Sequence, residues 1–374
     1  MIRSLIRSLR KVEPIRLQPS GKSLGTVVIS YMRWPFVEGW DSPKARGHTN
    51  AYECLKMAEA YRSLGYTVEA IDYTDTDYVP PADTVVAIDI HANLERWSLP
   101  KGCTSIVHAT GPHWLFWNHA ELSRLSSVRD RHGIALKPRR QVEPSRAIEC
   151  ADMATVLGNQ FTIDTFAFAG KPVHRIPISS AYEFPWPEGR DFDTARRKFL
   201  WVGSYGMVHK GLDLALDAFA GLPDLELTVG GRPEKEEDFT RLYSHVLKDC
   251  KNIHYHGWLD MADPTFLEMA RTHATIIYPS SAEGGAGSVI HCMHAGMVPA
   301  TTREASIDLG DFGVAIESAD VEAVRRAARA IADMAPSEVE TRCQASYDHV
   351  RRVHTRAEFE RNYKRFAASL LSSK

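Results

Sequence analysis

The sequence predicts an α/β protein built from two open, mostly parallel sheets. Short β-branched strands alternate with amphipathic helices along nearly the whole chain, a pattern typical of parallel sheets covered by helices. The length of 374 residues suits two domains of about 150–200 residues each. A stretch rich in proline and charge at residues 182–197 separates two such series and is predicted to be the linker.

Composition and charge exclude several classes of protein. Hydrophobic residues make up 44% of the chain and charged residues 25%, so we expect a packed globular protein rather than a disordered one. A net charge of −2 argues against broad binding to nucleic acid. The six cysteines form no C-x-x-C pair, which favours reduced thiols in a cytoplasmic protein over disulfides or a zinc site. No apolar run reaches the roughly 18 residues that a membrane-spanning helix needs.

Residues 1–20 read as a basic amphipathic leader. One helical face would carry Ile2, Leu5, Ile6 and Leu9, with Arg3, Arg7, Arg10 and Lys11 largely elsewhere. Such a helix can lie on an anionic membrane surface, which would place a cytoplasmic protein peripherally on the inner membrane face. The favoured alternative is a leader that frays or packs on the body of the protein, because so short a helix is marginal on its own.

The predicted first domain, residues 21–181, begins with the apolar strand GTVVISYMRW. A helical pattern from Ala51 to Leu64 ends at Gly65, and the strand TVEAIDY follows. This order of strand, loop, helix and strand is a crossover unit, which implies parallel strands. Further strands are predicted at DTVVAIDI, CTSIVHAT, Ala151–Val156 and VHRIPIS, and helices at Asn118–Asp130 and residues 159–168.

The predicted second domain, residues 198–355, repeats the alternation. Its strands are KFLWVGS, LELTVGG, NIHYHG, THATIIYPS, VPATT and FGVAIE, and its helices are Leu212–Ala220, Phe239–Lys248, Pro264–Thr272, Val289–Met297, Val321–Met334 and Pro336–Val353. A last amphipathic helix is predicted at Phe359–Leu371. Both halves are therefore expected to be Rossmann-like, with a ligand at the carboxyl ends of both sheets.

The stretch IIYPSSAEGGAGSVIHCMHAGM, from Ile276 to Met297, has the character of an anion site. A short strand ends at Pro279, a glycine-rich turn follows Glu283, and a helix begins after the turn. Amide groups in the first turn of a helix lack intrahelical partners, and the helix dipole favours negative charge there. Glycines allow a ligand close to the backbone. Since a carboxylate beside such a turn can bind sugar hydroxyls, the stretch predicts a nucleotide-sugar site.

Three segments in order carry a family resemblance: FLWVGSYGMVHKGLDLALDAFAGLPDLELTVGG, YHGWL and YPSSAEGGAGSVIHCMHAGMVPATT. The second half in this way resembles glycosyltransferase family 4, the retaining GT-B enzymes, although each motif alone would be weak. The first half matches more loosely through RGHTNAYECLKMAEAYRSLGYTVEAIDY. The resemblance implies the GT-B fold, two Rossmann-like domains facing across a cleft, the first completed by a C-terminal helix at residues 356–374.

The resemblance also implies an activity. A sugar would pass from a nucleotide diphosphate sugar to a saccharide or lipid-linked acceptor with retention of configuration, in cell-surface polysaccharide or glycoconjugate synthesis. No metal and no other cofactor would be required. The rival interpretation is a degenerate GT-B protein that binds a sugar nucleotide or a partner without turnover.

Roles in the second domain follow from the resemblance. Lys210 would neutralise the leaving diphosphate, and Glu283 would hold hydroxyls of the donor sugar. Further donor contacts would come from Gly203, Ser204, Arg232, Gly284, Gly285, Ala286, Gly287, Ser288 and His291. Two positions depart from the family: His291 stands where the E-x7-E motif has its second glutamate, and Ser204 stands where an arginine is usual. Arg232 could replace that cation, or it could be a surface arginine at a strand end.

In the first domain the resemblance implies cleft contacts from Gly47 and His48, with Thr49 or Asn50 as the expected helix N-cap. A histidine close to the transferred sugar is expected from three candidates at strand ends: His91, His108 and His113. His113 is preferred as the catalytic one, because Gly111-Pro112 should carry it into the loop, and His108 is the alternative. Trp114 and Trp117 in HATGPHWLFWN offer aromatic faces that suit a sugar ring.

Overall fold

The computed structural model describes residues 13–372, so residues 1–12 of the predicted leader lie outside the described part. The prediction was wrong for Ile15–Leu17, which form an edge strand of the first sheet. Two parallel sheets flanked by helices form the molecule, which confirms the predicted fold class. Within residues 13–372, no helix is both long and apolar enough to cross a membrane.

The first sheet has seven strands. In chain order they are β1 (Ile15–Leu17), β2 (Thr26–Tyr31), β3 (Thr67–Asp72), β4 (Thr84–Asp89), β5 (Thr104–Ala109), β6 (Met153–Val156) and β7 (Val173–Arg175). The order across the sheet is β1-β3-β2-β4-β5-β6-β7, and among these described strands only β1 pairs antiparallel, with β3. The strand order reverses between β2 and β4, and a ligand crevice is expected outside the carboxyl ends at that point.

The helices of the first domain are α1 (Trp34–Glu38), α2 (Pro43–Arg46), α3 (Thr49–Ser63), α4 (Trp114–His132), α5 (Ala147–Cys150) and α6 (Gln160–Asp164). The predicted N-cap of α3 was wrong. His48 caps this helix instead, since its Nδ1 accepts a hydrogen bond from the Ala51 amide at 3.3 Å. Helix α4 begins at Trp114, four residues before the predicted start.

The second sheet has six strands, β8 (Lys198–Gly203), β9 (Glu226–Gly231), β10 (Ile253–Gly257), β11 (Thr275–Tyr278), β12 (Val298–Thr301) and β13 (Val314–Ala315). All pair parallel, in the order β10-β9-β8-β11-β12-β13. The helices are α7 (Phe192–Ala195), α8 (Leu212–Phe219), α9 (Glu237–Asp249), α10 (Pro264–Thr272), α11 (Gly287–His294), α12 (Val321–Ala332) and α13 (Pro336–Val353). The central strands are nearly continuous apolar runs because helices cover both of their faces.

Two elements join the domains away from the linker. The last helix, α14 (Arg356–Ser372), packs on α3 of the first domain, with the rings of Tyr61 and Tyr363 in edge contact at 6.1 Å. Helix α4 reaches the second domain through ion pairs: Arg124 donates to both oxygens of Asp213 at 2.8 and 2.9 Å, and Arg131 donates to Asp213 at 2.7 Å. The chain is already anchored in the second domain at Arg190, whose buried guanidinium donates to backbone carbonyls there.

Candidate functional site

A cavity of about 580 Å³ lies between the carboxyl ends of the two sheets. The first domain lines it with residues after β4 and β5, with the start of α4 and with the irregular segment 139–145. The second domain lines it with Glu283, Gly284, Gly285 and Gly287. A ligand is predicted at this edge of both sheets, and the glycine-rich turn faces the cavity.

The turn approaches the first domain so closely that a side chain would not fit at its tip. A Cβ atom on Gly284 would lie 2.0 Å from the carbonyl oxygen of Thr110 and 2.8 Å from the Cα of Gly111. Gly285 has φ +90°, a conformation that favours glycine. Helix α11 begins directly after, with Ala286 at the N-cap position and Gly287 as its first residue. The glycines are thus required by the meeting of two domains as well as by the turn itself.

Lys210 and Glu283 form an ion pair beside this turn. The Nζ of Lys210 donates to Oε1 of Glu283 at 2.6 Å and to the hydroxyl of Tyr278 at 2.9 Å. Their side chains are only 11% and 12% exposed. Burial alone would raise the pKa of Glu283, but the positive charges of Lys210 and Arg140 lower it to about 2. Glu283 is therefore a carboxylate at neutral pH, with a cation held directly against it.

Two neighbours hold Lys210 in position, and neither was predicted from the sequence. The Nε2 of His209 contacts the carbonyl of Ala282 at 2.7 Å, so Nε2 carries the hydrogen. Burial lowers the pKa of His209 to about 4, which leaves the imidazole neutral. Glu236 accepts hydrogen bonds from the amides of Gly206 at 2.6 Å and Met207 at 3.2 Å, and so fixes the loop that leads to Lys210. His209 could have been identified from the sequence as part of the HKG motif, whereas no sequence pattern around Glu236 indicates its role.

The other predicted donor contacts are distributed differently. Gly203 packs against Trp201 and the stem of Lys210, while Ser204 is exposed on the loop after β8. Arg232 lies over the ring of Trp258 at 4.4 Å and is not among the residues that line the cavity.

At the start of α11, Ala286 is buried and Ser288 is half-buried. The Nε2 of His291 accepts a hydrogen bond from the Ala181 amide at 3.2 Å, and burial lowers its pKa to about 3. This contact joins α11 to the end of the first domain.

First-domain candidates separate into two groups. His91, His113 and Trp114 line the cavity, as does Trp117. His108 does not line it: it is buried in β5, where Nδ1 contacts the hydroxyl of Thr155 at 2.8 Å.

His113 has a buried ring nitrogen without a hydrogen-bond partner among the described residues. Its ring packs against Phe168 at 4.8 Å, and its buried Nε2 has no hydrogen-bond partner in the described part of the chain. Burial lowers its pKa, so a neutral imidazole faces the site. Gly47 and His48 lie outside the cavity lining; His48 instead caps α3.

Comparisons with known proteins agree with this architecture. Residues 196–334 match the family model described as glycosyl transferases group 1. No curated protein sequence matches the chain. Sucrose-phosphate synthase from Thermosynechococcus elongatus superposes with a TM-score of 0.60 at 12% identity, over 96% of this chain and 100% of that one. HepE from Anabaena, in complex with UDP and glucose, gives 0.55 at 10% identity, over 94% and 100%.

A variant of TarM from S. aureus, in complex with fondaparinux, α-GlcNAc-glycerol and UDP, gives a TM-score of 0.50 at 10% identity, over 74% of this chain. The chain spans about half of TarM, 54% of its length. At such low identities these structural likenesses establish the fold. The chain is thus a GT-B protein whose second domain matches the glycosyl transferases group 1, as its motifs implied.

Proposed function

We propose that this protein is a retaining glycosyltransferase that moves a sugar from a nucleotide diphosphate sugar to a saccharide or lipid-linked acceptor. The observation that carries the proposal is the Lys210–Glu283 ion pair beside a glycine turn that faces an interdomain cavity. The match of the second domain to glycosyl transferases group 1 supports it. So does the presence of UDP in the TarM and HepE complexes, which share the fold.

Lys210 is suited to stabilise the leaving diphosphate. An ammonium group has three donors, and Glu283 and Tyr278 occupy two of them. The third remains for a phosphate oxygen, although Glu283 lines the cavity and Lys210 lies against it, outside the lining. The amides of Gly287 and Ser288, which begin α11, would add further donors for the phosphate. Charge that develops on the β-phosphate is therefore met by groups already in place, which is the usual source of a large rate gain.

Glu283 would orient the donor sugar. Because its pKa is lowered to about 2, it stays an acceptor for sugar hydroxyls over the whole neutral range. The acceptor substrate would enter from the first domain, where Trp114 offers a ring face and His113 an unpartnered nitrogen. The departing phosphate would take the proton of the attacking hydroxyl, so that the new bond forms on the face that the phosphate leaves. Closure of the domains about residues 182–197 would keep water out.

The proposal extends to the setting of the reaction. We place it in cell-surface polysaccharide or glycoconjugate synthesis on the cytoplasmic side of the membrane, with neither metal nor cofactor. The basic amphipathic segment at residues 1–11 would supply peripheral contact with the membrane.

A specific observation keeps the non-enzymatic alternative in view. His291 replaces a glutamate of the family motif, and its Nε2 is occupied by the Ala181 amide. Ser204, the second departure, carries no charge. The protein therefore lacks two side chains that the resembled family uses to bind the nucleotide. For this reason a protein that binds sugar nucleotides without turnover is the second candidate.

A donor screen followed by substitutions tests the proposal. Thermal shift with UDP-, GDP- and ADP-sugars identifies the donor, because a ligand bound only by the native state raises the melting temperature. Turnover of that donor should then fall about 10²-fold or more in Lys210→Ala and in Glu283→Ala, as for loss of a charge-stabilising contact. Lys198→Ala is the matched control, since Lys198 pairs with Glu226 at 3.3 Å at the start of β8. Folded Lys210→Ala protein with full activity would refute the site, and binding without turnover of any donor would favour the alternative.

A further inference from the structure

We infer that Arg140, from the first domain, supplies the second cation for the donor diphosphate, in place of the arginine that Ser204 replaces. The inference rests on the proposed function and names a further residue of the same site. It starts from an arginine that faces the cavity without a partner.

Arg140 is unusual among the arginines around the cavity. It lines the cavity, and its Nε is buried with no hydrogen-bond partner in residues 13–372. Its neighbour Arg139 is paired with Asp238 at 2.6 Å, but no carboxylate in the described chain forms an ion pair with Arg140. The guanidinium lies 5.4 Å from the ring of Trp117, which itself lines the cavity. The side chain is half-buried, and a cation at the wall of a cavity without a counterion favours an anionic ligand there.

Both domains hold Arg140 in position. On the first-domain side, Oε1 of Glu121 accepts the backbone amides of Arg139 at 2.8 Å and Arg140 at 2.7 Å. On the second-domain side, the arginine stem passes against Gly206, where a Cβ atom would lie 2.5 Å from its Cγ. Gly206 is two residues after Ser204, in the loop that carries Lys210. Arg140 thus contacts the loop in which Ser204 stands in place of the family's arginine.

The charges of the cavity make Arg140 its uncompensated cation. Lys210 is neutralised by Glu283, His209 is neutral, and Arg139 is paired. Lys210 and His209 lie behind Glu283, outside the lining; the carboxylates that line the cavity are Glu283 and the solvent-exposed Glu143. A diphosphate carries more negative charge than one lysine already paired with a carboxylate can balance. The planar guanidinium fork binds phosphate oxygens two at a time, which suits Arg140 to this task.

The rival for this role is Arg232. Its guanidinium is stacked on Trp258 at 4.4 Å, and it does not line the cavity. If Arg140 binds the diphosphate, its substitution should weaken diphosphate binding and substitution of Arg232 should not; if Arg232 binds it, the reverse is expected.

Calorimetry on the full chain with UDP, GDP and ADP, and with the matching nucleosides, tests the inference. Arg140→Gln should weaken the preferred diphosphate about tenfold or more, as for loss of a charged hydrogen bond, and should leave nucleoside affinity unchanged. Arg140→Lys, which keeps the charge, should lose less. Arg129→Gln is the control, because Arg129 pairs with Asp130 on the exposed side of α4.

The outcomes separate this inference from the proposed function. Wild-type protein that binds none of the diphosphates would overturn both. Unchanged diphosphate affinity in Arg140→Gln, or a loss confined to Arg232→Gln, would overturn only the role of Arg140. Equal losses for diphosphate and nucleoside, or equal losses in the Gln and Lys variants, would indicate a packing role and overturn it as well.

Discussion

The ion pairs between α4 and α8 allow a direct test of how the two domains are held together. Asp213 is 0% exposed and accepts hydrogen bonds from Arg124 at 2.8 and 2.9 Å and from Arg131 at 2.7 Å. Asp213→Asn keeps the size of the side chain and removes its charge. Arg131 still has Asp217 at 3.0 Å, but Arg124, whose side chain is 5% exposed, is left as a buried charge without a counterion.

The expected cost follows from this geometry. Removing one partner of a buried ion pair destabilises a protein by about 3–5 kcal/mol. For a unit of about 150–250 residues, each kcal/mol lowers the melting temperature by about 2–4 °C. Multiplying these two ranges predicts that the melting temperature falls by roughly 6–20 °C. The lower half of that range is expected because only Arg124 loses its partner.

Thermal unfolding followed by circular dichroism measures this fall. Asp224→Asn is the matched control: Asp224 also pairs with an arginine, Arg329, but its side chain is 45% exposed and the pair lies within the second domain. Exposed pairs contribute about 0–1 kcal/mol, so its melting temperature should fall by no more than about 4 °C. Equal shifts in the two variants would refute the reasoning that this network holds the domains together.

Two further substitutions test the close approach of the domains and a buried acid. In Gly284→Ala the new Cβ would have to move from 2.0 Å to at least 3.0 Å from the Thr110 oxygen. Because a misplacement of about 1 Å can cost about 10²-fold in rate, turnover of the donor should fall by that much. Gly21→Ala is the control and should match the wild type, because Gly21 faces open space. Burial raises the pKa of Glu53 from 4.5 to about 8, against hydrogen bonds from Ser179, so its contribution to stability is complete below pH 4.5 and is lost as the pH rises to about 8. Glu53→Gln cannot lose a proton at this position. Between pH 5 and pH 8 its free energy of unfolding should therefore rise relative to that of the wild type, by up to about 1.4 kcal/mol per pH unit, and its melting temperature should rise with it. A difference in melting temperature that does not change with pH would contradict the raised pKa.

The fold was predictable because its signals are local. The strands of both sheets are short apolar runs, such as Phe199, Leu200 and Trp201 in β8, all fully buried. The meeting of Lys210 and Glu283 at one site was predicted from two motifs whose order is characteristic, although 73 residues separate them; their direct ion pair was not predicted. Strand β1 was missed because three residues, Ile15–Leu17, are too few to show a period.

The remaining features of the site depend on contacts between distant segments. His48 caps α3 with an imidazole nitrogen, a residue type outside the usual N-cap set. Arg140 lies in an irregular segment without periodicity, and its neighbour Gly206 belongs to the other domain. The requirement for glycine at position 284 comes from Thr110. None of these contacts leaves a pattern in the residues on either side of it.

The return of α14 to α3 has a consequence for the order of folding. The core of the first domain includes Tyr363, which meets Tyr61 from the opposite end of the chain. Synthesis from the N-terminus therefore delivers strands β1–β7 long before the helix that covers α3. The first domain can therefore cover α3 completely only after the second domain, whose last helix ends at Val353, has been synthesised.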